Sequence, residues 1–176
     1  NGDESEIDFM HQAADFKYYE NGDTKAVKLP YENGLSMVVV LGDTKNILND
    51  IHNNKMTSKL VDVSLPKFKA EYSIDYVNIL KNMGIEKAFD NQNADFSLML
   101  ENYPERIKID SVLQKAMIDV DEKGTEAAAA TVAVLTKSAL SVDEEVIEFR
   151  ADKPFTYYIL DDSGNVYFAG RYVKAE

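Results

Sequence analysis

The chain has 176 residues and a formal charge of −12, is 45% apolar with ten Tyr and eight Phe, and contains no cysteine. This apolar content is enough for a packed core and excludes disorder as the starting expectation. The acidic balance leaves no clustered cations to neutralise phosphates, so nucleic acid is excluded as a partner and anionic membranes are disfavoured. No apolar run is long enough to span a bilayer, so no membrane insertion is expected. The start Asn1-Gly2-Asp3-Glu4 lacks the basic and apolar regions of a signal peptide, and the lack of cysteine fits oxidising and reducing compartments alike.

In chain order, Phe16 to Tyr19 and Thr24 to Leu29 read as short strands joined by a turn containing Asn21-Gly22, both of which accept positive φ. A second turn at Asn33-Gly34 precedes Leu35 to Leu41, a run too uniformly apolar for a one-sided strand and therefore expected to be buried on both faces. Asp43 or Thr44 is placed to cap a short helix carrying Ile47, Leu48 and Ile51 on one side. Val61, Val63 and Leu65 alternate with polar residues up to Pro66, and Phe68, Ala70 and Tyr72 then alternate with Lys67, Lys69 and Glu71 as a one-sided antiparallel strand. Ser73 is a candidate cap for a helix with Asp75 in its first turn, Val77, Leu80 and Met83 near one face, and Gly84 as terminator. Residues 85 to 106 read as irregular, Ile107 to Glu122 as a strand, Val146 to Phe149 as a short strand, and Phe155 to Leu160 with Val166 to Val173 as a final hairpin around Asp161-Asp162-Ser163-Gly164-Asn165. With no internal repeat, strands in sequence with a few helices give an α+β class built mainly of antiparallel sheets.

The stretch Glu122-Lys123-Gly124-Thr125-Glu126-Ala127-Ala128-Ala129-Ala130-Thr131 has a local chemistry that fits two conformations. As a helix start, Thr125 caps, Glu126 sits near the positive end and four alanines follow. As a strand, it continues the alternation of Gln114, Ala116, Ile118 and Val120, and Thr131 to Leu135 again favours extension. A run of small side chains between strand formers is able to slide between two existing strands, where a bulky or charged residue would collide or lose its solvent.

Catalytic chemistry finds little support. A triad needs a base within reach, and His11 and His52 are the two histidines, each better explained by structural or surface work. Asp119, Asp121, Glu122, Asp143, Glu144 and Glu145 read as a solvated face. The Asp161 to Asn165 run lacks the further ligand spacing of a calcium loop and reads as a hairpin turn, so no metal and no cofactor is expected.

The hinge Glu122 to Thr131 resembles that of inhibitory serpins, and Leu29-Pro30-Tyr31, Leu65-Pro66-Lys67-Phe68, Ala94-Asp95-Phe96-Ser97, Lys115-Ala116, Asp152-Lys153-Pro154-Phe155 and Phe168-Ala169-Gly170-Arg171 stand in that family's order. The resemblance covers nearly the whole chain, residues 1–176, but corresponds to the carboxyl-terminal half of a serpin domain. The chain departs from the family pattern at Gln114 and Lys153, where histidines are usual.

The resemblance implies a suicide inhibitor of serine proteases, or of cysteine proteases, and not an enzyme. A reactive loop at about residues 123–145 is cleaved, and its amino-terminal part enters a large β-sheet. Glu122, Gly124, Thr125, Glu126, Ala127, Ala128, Ala129 and Ala130 would form the hinge. The family's spacing, seventeen positions from Glu122 inclusive, puts the scissile bond between Ser138 and Ala139; a count one shorter puts Lys137 before the cut and implies a trypsin-like target. The expected partners are a target serine protease and the amino-terminal half of the same protein or another copy of the chain, without which this chain is expected not to inhibit. The family implies an extracellular or cell-surface setting. The alternatives are a non-inhibitory serpin-like binding protein and a truncated structural or interaction fragment.

Overall fold

A computed structural model describes residues 8–99, 107–122 and 145–173. The chain divides into two compact units, one of Asn1–Phe68 with Asp119–Glu176 and the other of Lys69–Ile118. The first holds a seven-stranded sheet built from β1 (Phe9–Asn21), β2 (Thr24–Pro30), β3 (Leu35–Leu41), β4 (Thr57–Pro66), β7 (Ile147–Arg150), β8 (Phe155–Asp161) and β9 (Val166–Tyr172), in the order β7-β4-β1-β2-β3-β8-β9. Every neighbouring pair is antiparallel except β4 with β7, where Val61 to Ser64 lie beside Ile147 to Arg150 in parallel register.

The turn at Asn21-Gly22 joins β1 to β2, with Gly22 at φ +58°, and Asn33-Gly34 lies between β2 and β3, with Gly34 at φ +80°. Both positions favour glycine because a Cβ clashes with the backbone in this region. As its apolar run demands, β3 is sealed on both faces, with Ser36, Met37, Val38, Val39 and Val40 all buried. On one face Val38 and Val40 pack with Tyr19, Ala26, Leu160, Met56 and Ile47, the last from α1 (Ile47–His52). Each fully buried aliphatic side chain of this kind contributes about 1.5–3 kcal/mol relative to exposure.

Three sequence expectations need correction in this unit. The first strand begins at Phe9, not Phe16, because residues 9–15 lack alternation but pair with β4 from Phe9 opposite Pro66 to Tyr18 opposite Thr57. Helix α1 is capped by neither Asp43 nor Thr44. Asn46 occupies the cap without a side-chain bond, and the Asp43 carboxylate instead accepts from the Lys45 N–H at 3.0 Å. Leu48 does not share the inner face of Ile47 and stays 40% exposed.

A polar network ties α1 to the sheet. The Tyr19 hydroxyl donates to Asp50 Oδ2 at 2.5 Å, Lys55 Nζ reaches Asp50 Oδ1 at 2.7 Å, and both Tyr19 and Asp50 are buried. The Lys55 ammonium, then the Tyr19 hydroxyl, hold the Asp50 carboxyl below the usual Asp range.

On the other side of β8, Tyr157 lies opposite Gly170 of β9, and a Cβ built at Gly170 would stand 2.2 Å from the Tyr157 hydroxyl. The glycine of the Phe168 to Arg171 motif therefore makes room for an aromatic ring. Phe68, Phe155, Tyr157 and Tyr172 form one cluster, with Phe155 and Tyr172 stacked at 4.9 Å between centroids.

Mostly within the second unit, β5 (Phe68–Asp75) and β6 (Leu113–Val120) form a two-stranded sheet. Tyr76, just past β5, donates its N–H to the carbonyl of Val112, just before β6, at 2.9 Å, so the strands run in opposite directions. Ser73 and Asp75 belong to β5 and not to a helix; α2 (Val77–Asn82) starts later, with Tyr76 at its cap, and ends at Gly84 with φ +94°. Met83 is 73% exposed and does not join an inner face. Ala70 and Tyr72 are exposed too, which corrects the one-sided reading of β5. Residues 107–112 are not strand, so β6 is half the length that alternation suggested. Short 3-10 turns at Lys87–Phe89 and Ser97–Met99 stand in the stretch expected to be irregular, anchored by buried Phe89 and Ala94.

Candidate functional site

The segment singled out in the sequence is reached from two described flanks. On the amino side, β6 shows the expected alternation over its second half: Ile118 and Val120 are buried, while Met117 and Asp119 are exposed. Gln114, expected on the inner face, is exposed. Among the described residues, β6 is paired with β5 alone. On the carboxyl side, exposed Glu145 and Val146 lead into β7, whose ladder with β4 fixes the far flank.

Glu122, expected from the sequence to open the hinge, follows β6 in a turn and its carboxylate pairs with Lys67 Nζ. Lys67 sits between β4 and β5, and its own N–H donates to the carbonyl of Asp8 at 3.0 Å. The pair forms here because the antiparallel run of β5 and β6 brings the start of one strand to the end of the other. The Glu122 carboxylate, with Asp8 and Asp121 nearby, raises the Lys67 ammonium above the usual Lys range, so it is charged at any physiological pH. Both side chains keep solvent contact, at 39% and 60% exposure, which makes the pair a steering contact rather than a source of stability.

Gly124, Thr125, Glu126, Ala127, Ala128, Ala129 and Ala130, together with Lys137, Ser138 and Ala139, lie outside the described residues. Of the residues expected to form the hinge, Glu122 is the one among the described residues.

The rival chemistries resolve locally. Ser64 is buried, and its hydroxyl lies 2.9 Å from His11 Nδ1 across the β1–β4 ladder. This is a contact between paired strands. Asp161 accepts from the Asn165 N–H and side-chain amide, both at 2.9 Å, and from the Tyr167 hydroxyl at 3.3 Å. These bonds, the Asn165 amide first, hold its carboxyl below the usual range and satisfy it as a turn residue. Among the described residues no group of three His, Asp or Glu is arranged to hold a metal ion.

The family model for serpins, serine protease inhibitors, matches residues 1–175. The chain belongs to the serpin family. It is 37% identical over 182 residues to an uncharacterized serpin-like protein of Thermococcus kodakarensis, covering 94% of this chain and 41% of that protein. It is 31% identical over 183 residues to the antitrypsin of Bombyx mori, covering 96% of this chain and 46% of that protein. Among solved structures, the native state of the thermophilic serpin tengpin matches with a TM-score of 0.77 at 29% identity, over 98% of this chain and 47% of that one. This serpin chain therefore spans less than half the length of the relatives it matches. The mainly antiparallel α+β architecture with short helices is the serpin one over that span.

The Tyr19–Asp50–Lys55 network and the Tyr157–Gly170 contact were missed by sequence reasoning. The first carried no local signal, since Tyr19 and Asp50 are thirty-one positions apart. The second was visible only as an unexplained glycine inside a strand, a pattern that marks close approach.

Proposed function

We propose that this chain carries the carboxyl-terminal half and the reactive loop of a serpin-type inhibitor of serine proteases. In this reading the loop between β6 and β7 is presented as a substrate and cut between Ser138 and Ala139, or after Lys137. The part from Gly124 onward then inserts beside β6 with the protease attached as an acyl-enzyme. The protein is an inhibitor and not an enzyme, acting at the cell surface or outside the cell. Serpin loop insertion is an established instance of strand addition.

One observation carries the reading: a run of small side chains, Gly124 to Ala130, continues directly from a strand whose outer edge is unpaired among the described residues. Insertion of about a dozen residues would gain on the order of ten ladder hydrogen bonds at about 1 kcal/mol net each, against an ordering cost of similar scale, so nothing bulky can obstruct entry. The four alanines meet that condition.

The inserting strand also needs a neighbour on its second side. Among the described residues none is available, so the 176-residue chain alone is expected not to trap proteases and to associate with the other half of a serpin domain or with another copy. The test is incubation of the full-length protein with trypsin-like and elastase-like proteases, followed by denaturing electrophoresis and mass spectrometry of the released peptide. A denaturant-resistant protease–inhibitor band with cleavage after Ser138 or Lys137 is expected. Cleavage at these bonds with no such band for any protease would overturn the inhibitory reading in favour of a non-inhibitory serpin-like protein.

A further inference from the structure

At the end of the β5–β6 pair remote from Glu122, one carboxylate gathers three chain segments. Asp75, the last residue of β5, accepts through its Oδ1 atom from the Val77 N–H at 3.0 Å and from the Val112 N–H at 3.1 Å. Val77 opens α2, and Val112 directly precedes β6. The carbonyl of Val112 is taken as well, by the Tyr76 N–H at 2.9 Å. The backbone at Val112 is thus held on both its donor and its acceptor, and β6 starts at the next residue. Ahead of it, residues 107–112 are not strand, and Leu113 is 67% exposed, so burial does little to fix this end. The Val77 and Val112 N–H groups hold the Asp75 carboxyl below the usual Asp range, so at neutral pH it is an anion, the stronger form of acceptor.

We propose that Asp75 is a positioning residue for loop insertion, fixing the end of β6 at which an inserting strand completes its pairing. The inference rests on the inhibitory reading above. A chain that turns back just after Glu122 and runs along β6 meets Val120 first and Leu113 last. The Lys67–Glu122 pair holds the end where insertion begins, and Asp75 holds the end where it finishes. While insertion proceeds, water competes for the acyl-enzyme. It attacks the ester carbonyl, the bond to the protease serine oxygen breaks, and the products are a free serine hydroxyl and a carboxylic acid on the loop. When the far end of β6 frays, the last ladder pairs form more slowly while hydrolysis keeps its own rate. More loops are then cut and released without trapping the protease. Docking of the uncleaved loop onto the protease does not involve β6 and is unaffected.

The experiment uses the full-length protein and a serine protease that it traps. Asp75→Ala removes the acceptor, whereas Asp75→Asn keeps an Oδ1 acceptor without the charge. Three quantities are read: moles of inhibitor consumed per mole of protease silenced, the association rate constant, and amide hydrogen exchange at Val77 and Val112. For Asp75→Ala, exchange at both amides accelerates and consumption rises by about twofold to fivefold, as expected for the loss of two charge-assisted hydrogen bonds at an exposed site. The association rate stays at the wild-type value, and Asp75→Asn recovers most of the effect. Faster exchange with unchanged consumption overturns the role of Asp75 and leaves the inhibitory reading intact, as do unchanged exchange or a lower association rate with unchanged consumption. A wild-type protein that traps no protease overturns the inhibitory reading first, whatever the variants do. If Asp75→Ala does not fold, Asp75→Glu, whose extra methylene moves the oxygen away from two N–H groups at once, carries the same prediction with a smaller rise.

Discussion

The seven-stranded sheet and the β5–β6 pair hold together by different physics. In the sheet, β3 and β8 lie between neighbours on both sides, and Val27, Val38, Val39, Val40, Val61, Phe149 and Phe155 are sealed from solvent. In the pair, most of β5 is exposed, burial is concentrated at Phe68 and at Ile118 and Val120, and the ends are pinned by polar contacts at Asp75 and Lys67. A region fixed by apolar burial resists rearrangement, because cores do not deform continuously. A strand fixed at its ends by hydrogen bonds and one ion pair can accept a new neighbour without repacking a core. The difference separates a region fixed by burial from one fixed at its ends by polar contacts.

Substitutions of decreasing severity break or sharpen that contrast. Phe149→Ala, at a fully buried position of β7, is expected to cost about 3–5 kcal/mol in chemical denaturation, with the denaturant slope unchanged. Gly170→Ala forces a Cβ against the Tyr157 hydroxyl and is expected to cost about 1–3 kcal/mol; pairing it with Tyr157→Ala relieves the clash, so the double variant should lose less than the two single losses added together.

Tyr19→Phe removes the hydroxyl that supports the Asp50 carboxylate and is expected to lower stability by less than either. Its signature is in acid. Because the folded-state pKa of Asp50 is depressed, its contribution is present above the ordinary Asp pKa and is lost as pH falls through the lower, folded value. A denaturation series from pH 6 down to about pH 2 should show a shallower acid loss in Tyr19→Phe than in wild type, and parallel curves would refute the assignment.

Lys67→Ala closes the series. The pair is exposed, so the midpoint of global unfolding should hardly move, and added salt should leave the difference between variant and wild type equally small. A large loss of global stability instead would place Lys67 among the core contacts and erase the contrast.

Much of this arrangement could be read directly from residue order. The uniformly apolar Leu35 to Leu41 demanded burial on two faces, and the Asn-Gly steps and the Asp161 to Asn165 turn marked their hairpins through backbone chemistry that is local by nature. Non-local pairing was invisible. Residues 9–15 become strand only because β4 lies beside them, and β7 joins β4 in parallel, a pairing that no short turn announces. Both helix caps, expected at Asp43 or Thr44 and at Ser73, were misplaced: Ser73 lies within β5, and Asp43 and Asp75 accept backbone N–H groups from a turn and a strand end outside the helices. At the candidate site, the ion pair of Glu122 with Lys67 could not be named until the direction of β5 against β6 was known.

The parallel seat of β7 beside β4, with β8 lodged between β3 and β9, determines what a proteolytic nick can achieve. Cutting the chain ahead of β7 leaves a carboxyl-terminal peptide held to the rest by two backbone ladders, β7 with β4 and β8 with β3. Severing the covalent thread therefore does not split the particle: the two pieces are expected to travel together through a native sizing column and to part only in denaturant. Such a cut leaves both ladders, β7 with β4 and β8 with β3, in place.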